Sequence, residues 1–323
     1  VLESMRRRRK PGGRMAYELK HFGASPGRWA GGGGLNVQNF NRKETEGLDV
    51  RKCIMAAPGH MLAVADYSQI EARVLLYLAG DTAALELLAE HPEWDMYELH
   101  ARATMGYAEG ECLKDFCERT GSGLRQLAKA RVLGLGFRCG AETFVRVARV
   151  MAGLKIGQED ARRIVNEYRA QNPKIVHLWN ALQAAAEMCL KEEPYEYRLP
   201  FPCTQYDPRC GRYLIYRDVA WHPLGKSLTA VVGGERVPLH GGIIAENWTQ
   251  GTARDVLASA WLRCAAAGFR PALSVHDELV FEVREATAHE DLRRITGIME
   301  TPIAWAPGLP LKADGKLMSR YGK

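Results

Sequence analysis

The chain lacks the signals that would place it outside the ordinary globular proteins. No run among its 323 residues approaches the roughly 20 apolar residues that a membrane-spanning helix needs. Its basic N-terminus has no apolar core of the kind found in secretory signals. Its eight cysteines form no CxxC pair, so we expect free thiols in a reducing cytosol rather than a zinc site. No GK[ST] sequence follows Gly31–Gly34, which excludes a P-loop there.

Charge is nearly balanced, with 44 basic and 38 acidic residues and a formal net charge of +6. This excess permits a polyanionic partner without requiring one. The run Arg6–Lys10 has two interpretations, an arm that binds nucleic acid or a solvated tail. Because the first residue is Val1 rather than Met, we expect a fragment or a processed product.

Apolar periodicity predicts a mainly helical block between two segments that carry strands. Strands are predicted at 61–66, 272–275 and 279–283. Helices are predicted over 69–79, 82–90, 95–105, 124–137, 141–152, 158–190 with a break at Pro173, and 244–267. Residues 1–45 and 194–240 are expected to be irregular, the second segment with hairpins.

Two aspartates lie at the ends of apolar runs. Asp66 ends the predicted strand in AVADYSQIEARV (63–74), and Asp277 lies at the turn in ALSVHDELVFEV (272–283). If the strands are neighbours, the carboxylates face each other and repel unless cations lie between them. Mg²⁺ suits such a pair because it accepts one or two carboxylates and fills its shell with water and phosphate oxygens. Alternatively, each aspartate merely caps a helix or closes a turn.

A third motif, LRQLAKARVLGLGF (124–137), places Arg125 and Lys129 on one helix face, followed by Leu133 and Phe137. Two cations and then apolar side chains suit a nucleoside triphosphate. The alternative is an amphipathic helix with solvated cations. Gly134 and Gly136 weaken a helix by roughly 0.8–1 kcal/mol each, so we expect close packing or a bend there.

These stretches resemble a known family. DYSQIEAR at 66–73, the spacing of Arg125, Lys129 and Phe137, and HDE at 276–278 resemble, in order and separation, the three motifs of family A DNA polymerases, the bacterial DNA polymerase I type. LGLGFRCG at 133–140 and ENWTQGTARD at 246–255 are most similar to phage members. The resemblance extends from about Arg28 onward.

The resemblance implies an α+β fold. It comprises a right-hand polymerase palm, with a small antiparallel sheet and helices, and a mainly helical fingers domain. The palm would occupy 1–73, including an N-terminal segment that contacts primer–template DNA, and 244–323. The fingers would occupy 74–243, with the irregular insertion at about 194–240. The implied activity is DNA-directed addition of deoxynucleotides to a primer 3′-end by two-metal nucleotidyl transfer, in a phage replicative or repair enzyme acting in the bacterial host cytoplasm.

The resemblance also assigns the reacting groups. Asp66 and Asp277 would hold two Mg²⁺ ions, with Mn²⁺ a possible substitute, the carbonyl of Tyr67 would assist, and Glu278 would be an auxiliary acid. Lys129 would be the catalytic proton donor to pyrophosphate. The implied nucleotide-binding residues are Gln69, Glu71, His100, Arg125, Lys129, Leu133 and Phe137.

Two of these residues have ordinary alternatives. Glu71 matches the family glutamate that blocks a ribose 2′-hydroxyl, yet a glutamate in a first helical turn is also favoured by the helix dipole. His100, in DMYELHARAT, matches a histidine that contacts the triphosphate, yet taken alone it fits a surface helix.

The stretch GRWAGGGGLNVQN (27–39) resembles the segment that contacts the primer–template minor groove. The implied DNA-binding residues are Arg28, Asn36, Gln38, Asn39, Gln250 and His276. Polar side chains there can check pairing geometry without reading sequence, because the minor-groove acceptors are similar for all pairs. Otherwise Asn36 and Asn39 are turn residues and Gln250 is a helix-surface residue.

Departures from the family pattern qualify these expectations. Leu133 replaces a frequent Phe or Tyr, Phe137 replaces a common Tyr, and Gly241–Gly242 stands where a minor-groove arginine is expected. Too few residues precede Arg28 for a thumb or a 3′–5′ exonuclease, which would lie elsewhere on the same or another chain. We therefore expect weak DNA binding by this chain alone and no proofreading.

Three rival functions use the same residues differently. A single-subunit RNA polymerase shares the palm chemistry, but Glu71 argues against it. A two-metal nuclease or phosphohydrolase would use the acids but would not need the helix of Arg125 and Lys129. A non-catalytic DNA-binding remnant would not need intact acids.

Overall fold

The computed structural model describes residues 1–40, 49–191, 193–225 and 227–322. The chain divides into two compact units. Unit 1 comprises Val1–Ser68, Ala253–Ile303 and Leu311–Lys323. Unit 2 comprises Gln69–Thr252 and Ala304–Pro310. The sequence prediction put its domain boundaries at 73/74 and 243/244.

The described residues contain the following secondary structure. The helices are α1 (Leu2–Arg8), α2 (Ile70–Leu78), α3 (Thr82–Glu90), α4 (Met96–Thr104), α5 (Leu113–Thr120), α6 (Leu124–Leu135), α7 (Ala141–Ala152), α8 (Gln158–Gln171), α9 (Pro173–Met188), α10 (Pro202–Tyr206), α11 (Gly241–Ala266) and α12 (Ala288–Glu300). The strands are β1 (Leu19–Lys20), β2 (Ala30–Gly31), β3 (His60–Tyr67), β4 (Tyr197–Pro200), β5 (Tyr213–Trp221), β6 (Leu228–Val232), β7 (Glu235–Leu239), β8 (Pro271–Val275), β9 (Glu278–Arg284) and β10 (Ala313–Met318).

Unit 1 is built on an antiparallel sheet of order β10-β3-β9-β8. β3 is apolar on both faces because both are covered. One face packs Leu62 and Val64 into a core with Leu35 and Val37. On the other face the hydroxyl of Tyr67 donates to the carbonyl of Met299 in α12, at 2.7 Å. β3 is therefore an interior strand whose last residues are fixed from both sides.

Unit 2 is mainly helical. Its core joins α2, α3, α4 and α6–α9 to the inner sides of β4–β7, which form a second antiparallel sheet in that order. The expected hairpins in 194–240 are this sheet. α6 lies against α7 so closely at Gly134 that a Cβ there would be 2.8 Å from Cγ1 of Val147. At Gly136 a Cβ would be 2.8 Å from Cδ2 of Leu75. The glycines therefore serve close packing, as expected.

The α+β fold class is confirmed, and most predicted elements lie within a few residues of their predicted positions. The predicted break near Pro173 occurs at Asn172, where α8 ends and proline opens α9. The predicted helix 124–137 is too long, because α6 ends at Leu135 and Phe137 lies outside it.

The prediction of irregular structure over 1–45 is wrong for α1 and for the short strands β1 and β2, and its residues 41–45 lie outside the described residues. The sequence reasoning also missed α5, α12 and β10. Among the helices of the described residues, none combines the length and apolarity needed to cross a bilayer.

We expect Gly134→Ala to destabilise the protein by about 1–3 kcal/mol. The free-energy cost of overpacking the α6–α7 contact should exceed the roughly 1 kcal/mol that alanine gains in helix propensity. Gly297→Ala is the matched control, because it also lies within a helix but a Cβ there meets nothing within 4 Å. That variant should gain about 0.5–1 kcal/mol. Urea unfolding measures both, and equal stabilisation by the two substitutions would contradict the packing argument.

Candidate functional site

Three of the predicted acids meet at one end of the unit 1 sheet. β8 and β9 form a hairpin whose two-residue turn is His276–Asp277. The N–H of Tyr67 donates to the carbonyl of Asp277 at 3.2 Å, which fixes the turn beside the end of β3. Asp66 is directly opposite Glu278 in the β3–β9 register. The structure thus gathers Asp66, Asp277 and Glu278 at one sheet end.

His276 shapes this turn through its backbone. Its φ of +53° lies in the left-handed region, which histidine occupies more readily than most residues with a Cβ. The side chain of His276 is exposed, and that of Asp277 is half-buried. The turn therefore presents both side chains at the surface end of the sheet.

Glu278 is held in the interior of unit 1. It is 5% exposed, and its Oε1 accepts a hydrogen bond of 2.5 Å from the hydroxyl of Tyr321. The guanidinium of the buried Arg51 lies 5.3 Å from the centre of the Tyr321 ring. A buried carboxylate requires such partners. Sequence reasoning missed Tyr321, and no motif signals it, because it depends on the C-terminal strand returning to the sheet.

These residues fit a divalent cation by the chemistry of their donors. Asp66 and Asp277 supply carboxylate oxygens and Tyr67 a carbonyl oxygen, and these are the hard ligands that Mg²⁺ takes. Within the described ranges, no three side chains among His, Cys, Asp and Glu are arranged to hold a metal ion. Mg²⁺ does not need three, since it binds through one or two carboxylates plus water and phosphate oxygens.

In unit 2, the open face of α6 carries the predicted cations. Arg125, Lys129 and Leu133 follow at intervals of four residues, with Arg125 and Lys129 half-buried and Leu133 38% exposed. The opposite side of α6 is buried. Phe137, beyond the end of α6, packs on the unit 2 core. α6 therefore offers two cations and one apolar side chain to a ligand.

Arg125 is oriented by α4. Asp95 caps α4 by accepting hydrogen bonds from the N–H groups of Tyr97 and Glu98, at 2.9 and 2.8 Å. The other carboxylate oxygen of Asp95 forms an ion pair with Arg125. The Arg125 guanidinium also lies 5.3 Å from the centre of the Tyr97 ring. One aspartate thus caps the N-terminus of α4 and orients the first cation of α6.

Gln69 joins the same group of residues. Its Oε1 accepts a 2.6 Å hydrogen bond from the N–H of Met96, and its side chain hydrogen-bonds the Tyr97 hydroxyl. Burial raises the pKa of Tyr97, so the hydroxyl stays neutral and can donate. Glu71 lies half-buried in the first turn of α2, two residues after Gln69.

The structure places His100, which is predicted to contact a triphosphate, in the interior of unit 2. His100 is 7% exposed, with its ring 5.5 Å from that of Tyr168 and beside a cavity of about 200 Å³ in unit 2. Burial, with the charge of Arg131, lowers the pKa of His100 to about 3, so the ring is neutral. A neutral interior histidine is a poor partner for phosphate. Tyr97, one turn earlier on α4, is the α4 residue beside Arg125.

The segment expected to contact DNA is anchored in unit 1. Leu35 and Val37 are buried, and Asn36 accepts a 3.1 Å hydrogen bond from the N–H of Gln38, capping the short 3₁₀ turn Val37–Asn39. Gln38 and Arg28 are half-buried and Asn39 is exposed.

Trp29 fixes the start of this segment. The Arg254 guanidinium lies 4.1 Å from the centre of the Trp29 ring, and the ring of Trp261 meets Trp29 edge-on at 5.4 Å. Both partners lie on α11. The segment is thus tied to a long helix as well as to the sheet core.

The start of α11 explains the missing arginine. A Cβ at Gly241 would be 1.8 Å from the carbonyl oxygen of Trp179, and one at Gly242 would be 2.5 Å from that of Phe137. No larger side chain fits at either position without moving the backbone. Further along α11, the Gln250 amide approaches Oε1 of Glu246 at 3.4 Å.

Comparison with known proteins decides the family. The family model described as DNA polymerase family A matches residues 6–209, more than half of the chain. The chain belongs to DNA polymerase family A. A DNA polymerase of Bacillus phage SP02 is 31% identical over 97% of the chain and 53% of its own length. A Mycobacterium phage D29 DNA polymerase is 27% identical over 77% of the chain and 33% of its own length.

DNA polymerase I of Pseudomonas aeruginosa is 27% identical over 82% of the chain and 25% of its own length. This family A chain therefore spans about half the length of the SP02 relative, and less of the others. The fold also matches a solved structure, the POL domain of Pol1 from M. smegmatis in complex with DNA primer-template and dNTP. Its TM-score is 0.64 at 20% identity, over 99% of this chain and 50% of that one.

The burial of neutral His100 predicts a pH-dependent contribution to stability. Its pKa is about 3 in the folded protein and about 6.5 when unfolded. Below pH 6.5 the unfolded state binds a proton that the folded state does not. The free energy of unfolding is therefore not reduced by His100 above pH 6.5, and it falls as pH falls from 6.5 towards 3. The unfolding constant rises up to tenfold per pH unit over this range. The loss of unfolding free energy caused by His100→Gln should therefore be smaller at pH 4.5 than at pH 7.5, as measured by urea unfolding. The exposed His289→Gln serves as control, and a penalty of His100→Gln that is independent of pH would contradict the assignment.

Proposed function

We propose that this family A chain is the catalytic portion of a phage DNA-directed DNA polymerase. It would add deoxynucleotides to a primer 3′-end through two divalent cations. The main support is the hydrogen bond from Tyr67 to Asp277, which joins the two aspartate-bearing segments in one sheet. Family membership supports the reaction class. In this proposal unit 1 is the palm and unit 2 the fingers.

In the proposed reaction, the primer 3′-hydroxyl oxygen forms a bond to the α-phosphorus and the bond to the β-phosphate oxygen breaks, releasing pyrophosphate. The hydroxyl proton passes to solvent. Asp66 and Asp277, with the Tyr67 carbonyl, would hold two Mg²⁺ ions. When bound, these ions would activate the attacking oxygen and neutralise the leaving one.

The remaining residues position the nucleotide. Arg125 and Lys129 would bind the phosphates, and Lys129 would donate a proton to the leaving pyrophosphate. Tyr97 takes the role that the sequence reasoning gave to His100, because its hydroxyl and the Arg125 guanidinium belong to one cluster. Phosphoryl transfer depends mainly on such positioning and charge neutralisation.

The proposal assigns synthesis, and not proofreading, to these 323 residues. Arg28, Asn36, Gln38, Asn39, Gln250 and His276 would contact primer–template DNA. A thumb would be supplied by another region or chain. A phage product of this kind would work in the cytoplasm of its bacterial host.

We expect Asp66→Asn and Asp277→Asn each to reduce primer extension with Mg²⁺ roughly 10³-fold or more, because each removes a charge worth several kcal/mol to the transition state. The changes keep side-chain size, so circular dichroism should match the wild type. Asp160→Asn, on the exposed surface of α8, is the control and should extend normally. Full extension by either site variant would refute the cation assignment.

We expect Glu71→Ala to raise incorporation of ribonucleotides relative to deoxynucleotides roughly tenfold or more, because removing a steric block is worth about 1–3 kcal/mol. Single-nucleotide extension with each triphosphate measures the ratio. Glu90→Ala, at the exposed end of α3, is the control. An unchanged ratio would remove the proposed role of Glu71, and a wild type that prefers ribonucleotides would favour the rival RNA polymerase.

A further inference from the structure

The basic run Arg6–Lys10 is divided by the fold into two sides. Arg7 and Arg8 line a cavity of about 310 Å³ together with Ser4, Gly33 and Gly34. Arg6 and Arg9 line a different cavity, about 380 Å³ in volume, with apolar residues of the sheet. The sequence does not distinguish these four arginines, but in the structure Arg7 and Arg8 lie at one cavity and Arg6 and Arg9 at another.

α1 is fixed to the glycine-rich loop rather than solvated around its circumference. The hydroxyl of Ser4 donates to the carbonyl of Gly34 at 3.1 Å. Met5, the next residue, packs against the cluster that contains Leu35 and Val37. A helix of seven residues is not stable by itself, so these contacts account for its order.

Arg8 lies directly against this loop. A Cβ at Gly33 would come within 3.3 Å of Nη2 of Arg8, and one at Gly34 within 3.7 Å. Arg7, with 74% of its side chain exposed, forms a long 3.8 Å ion pair with Glu3, one turn earlier on the same helix face. Glu18 contacts the loop at Gly32 and Gly33. Glu3 and Glu18 offset part of this charge, but residues 1–18 carry six basic side chains against these two acids, so the segment keeps a net positive charge.

The loop continues directly into Asn36, Gln38 and Asn39, the proposed minor-groove residues. We infer that Arg7 and Arg8, seated on Gly33–Gly34, form a surface that binds the phosphodiester backbone of the same primer–template DNA. Two guanidinium groups beside a loop without side chains suit phosphate oxygens, which arginine binds in pairs of hydrogen bonds. Binding there would not depend on base sequence. This inference rests on the proposed function.

The matched test uses two double variants with equal charge changes. Arg7→Gln with Arg8→Gln removes the proposed phosphate contacts, and Arg6→Gln with Arg9→Gln removes two charges from the other side of α1. Fluorescence anisotropy measures the affinity of each for duplex primer–template at several salt concentrations. We expect the first variant to lower the slope of log K against log salt by about 2, roughly one per lost contact, with severalfold weaker binding. The second variant should leave the slope near the wild-type value.

An equal loss of DNA affinity in both variants would mean that overall charge, and not the position of Arg7 and Arg8, determines binding. Unchanged affinity in the first variant would mean that these two arginines do not contact DNA. Either result overturns the inference. Primer extension at saturating DNA separates this result from failure of the proposed function. The first variant should raise the KM for DNA and keep kcat. A wild type that extends no primer would refute the proposed function, while the binding comparison would still report on Arg7 and Arg8.

Discussion

Negative charge at one end of a sheet is the constraint on which the unit 1 structure depends. Antiparallel pairing sets Asp314, Asp66 and Glu278 side by side across three strands, and Asp277 follows in the adjoining turn. Neighbouring negative charges repel one another. The hydroxyl of Tyr321 stabilises Glu278. The carboxylate oxygens gathered here are of the kind that a divalent cation takes as ligands.

In unit 2 the structure depends on hydrogen bonds and an ion pair that orient Arg125 in advance. Asp95 satisfies the first N–H groups of α4 and also pairs with Arg125, while Gln69 bonds the N–H of Met96. The guanidinium is therefore oriented during folding, and the entropic cost of ordering it has been met there. In the proposed function, a phosphate bound by Arg125 would share the guanidinium with Asp95. Phosphate affinity and the order of α4 would then be linked through one carboxylate.

The sequence predicted best those elements that have a regular pattern of apolar residues. β3 and α6 were located closely because a doubly buried strand and an amphipathic helix leave clear patterns. β10, ADGKLM, was missed because an exposed edge strand carries no such pattern. The burial of His100 was not predicted for a related reason. Three residues advance a helix by about 300°, so Tyr97 and His100 have neighbouring directions, and only packing shows which one turns into the core.

The departures from the family pattern are linked to packing as well. At Gly241 and Gly242 the start of α11 approaches two carbonyl oxygens so closely that there is no room for an arginine side chain. In unit 1 the glycine-rich segment is held by Trp29 against Arg254, and α1 places basic residues against its loop. Sequence comparison alone records a lost contact. Packing shows that the absence of this side chain is enforced by the backbone.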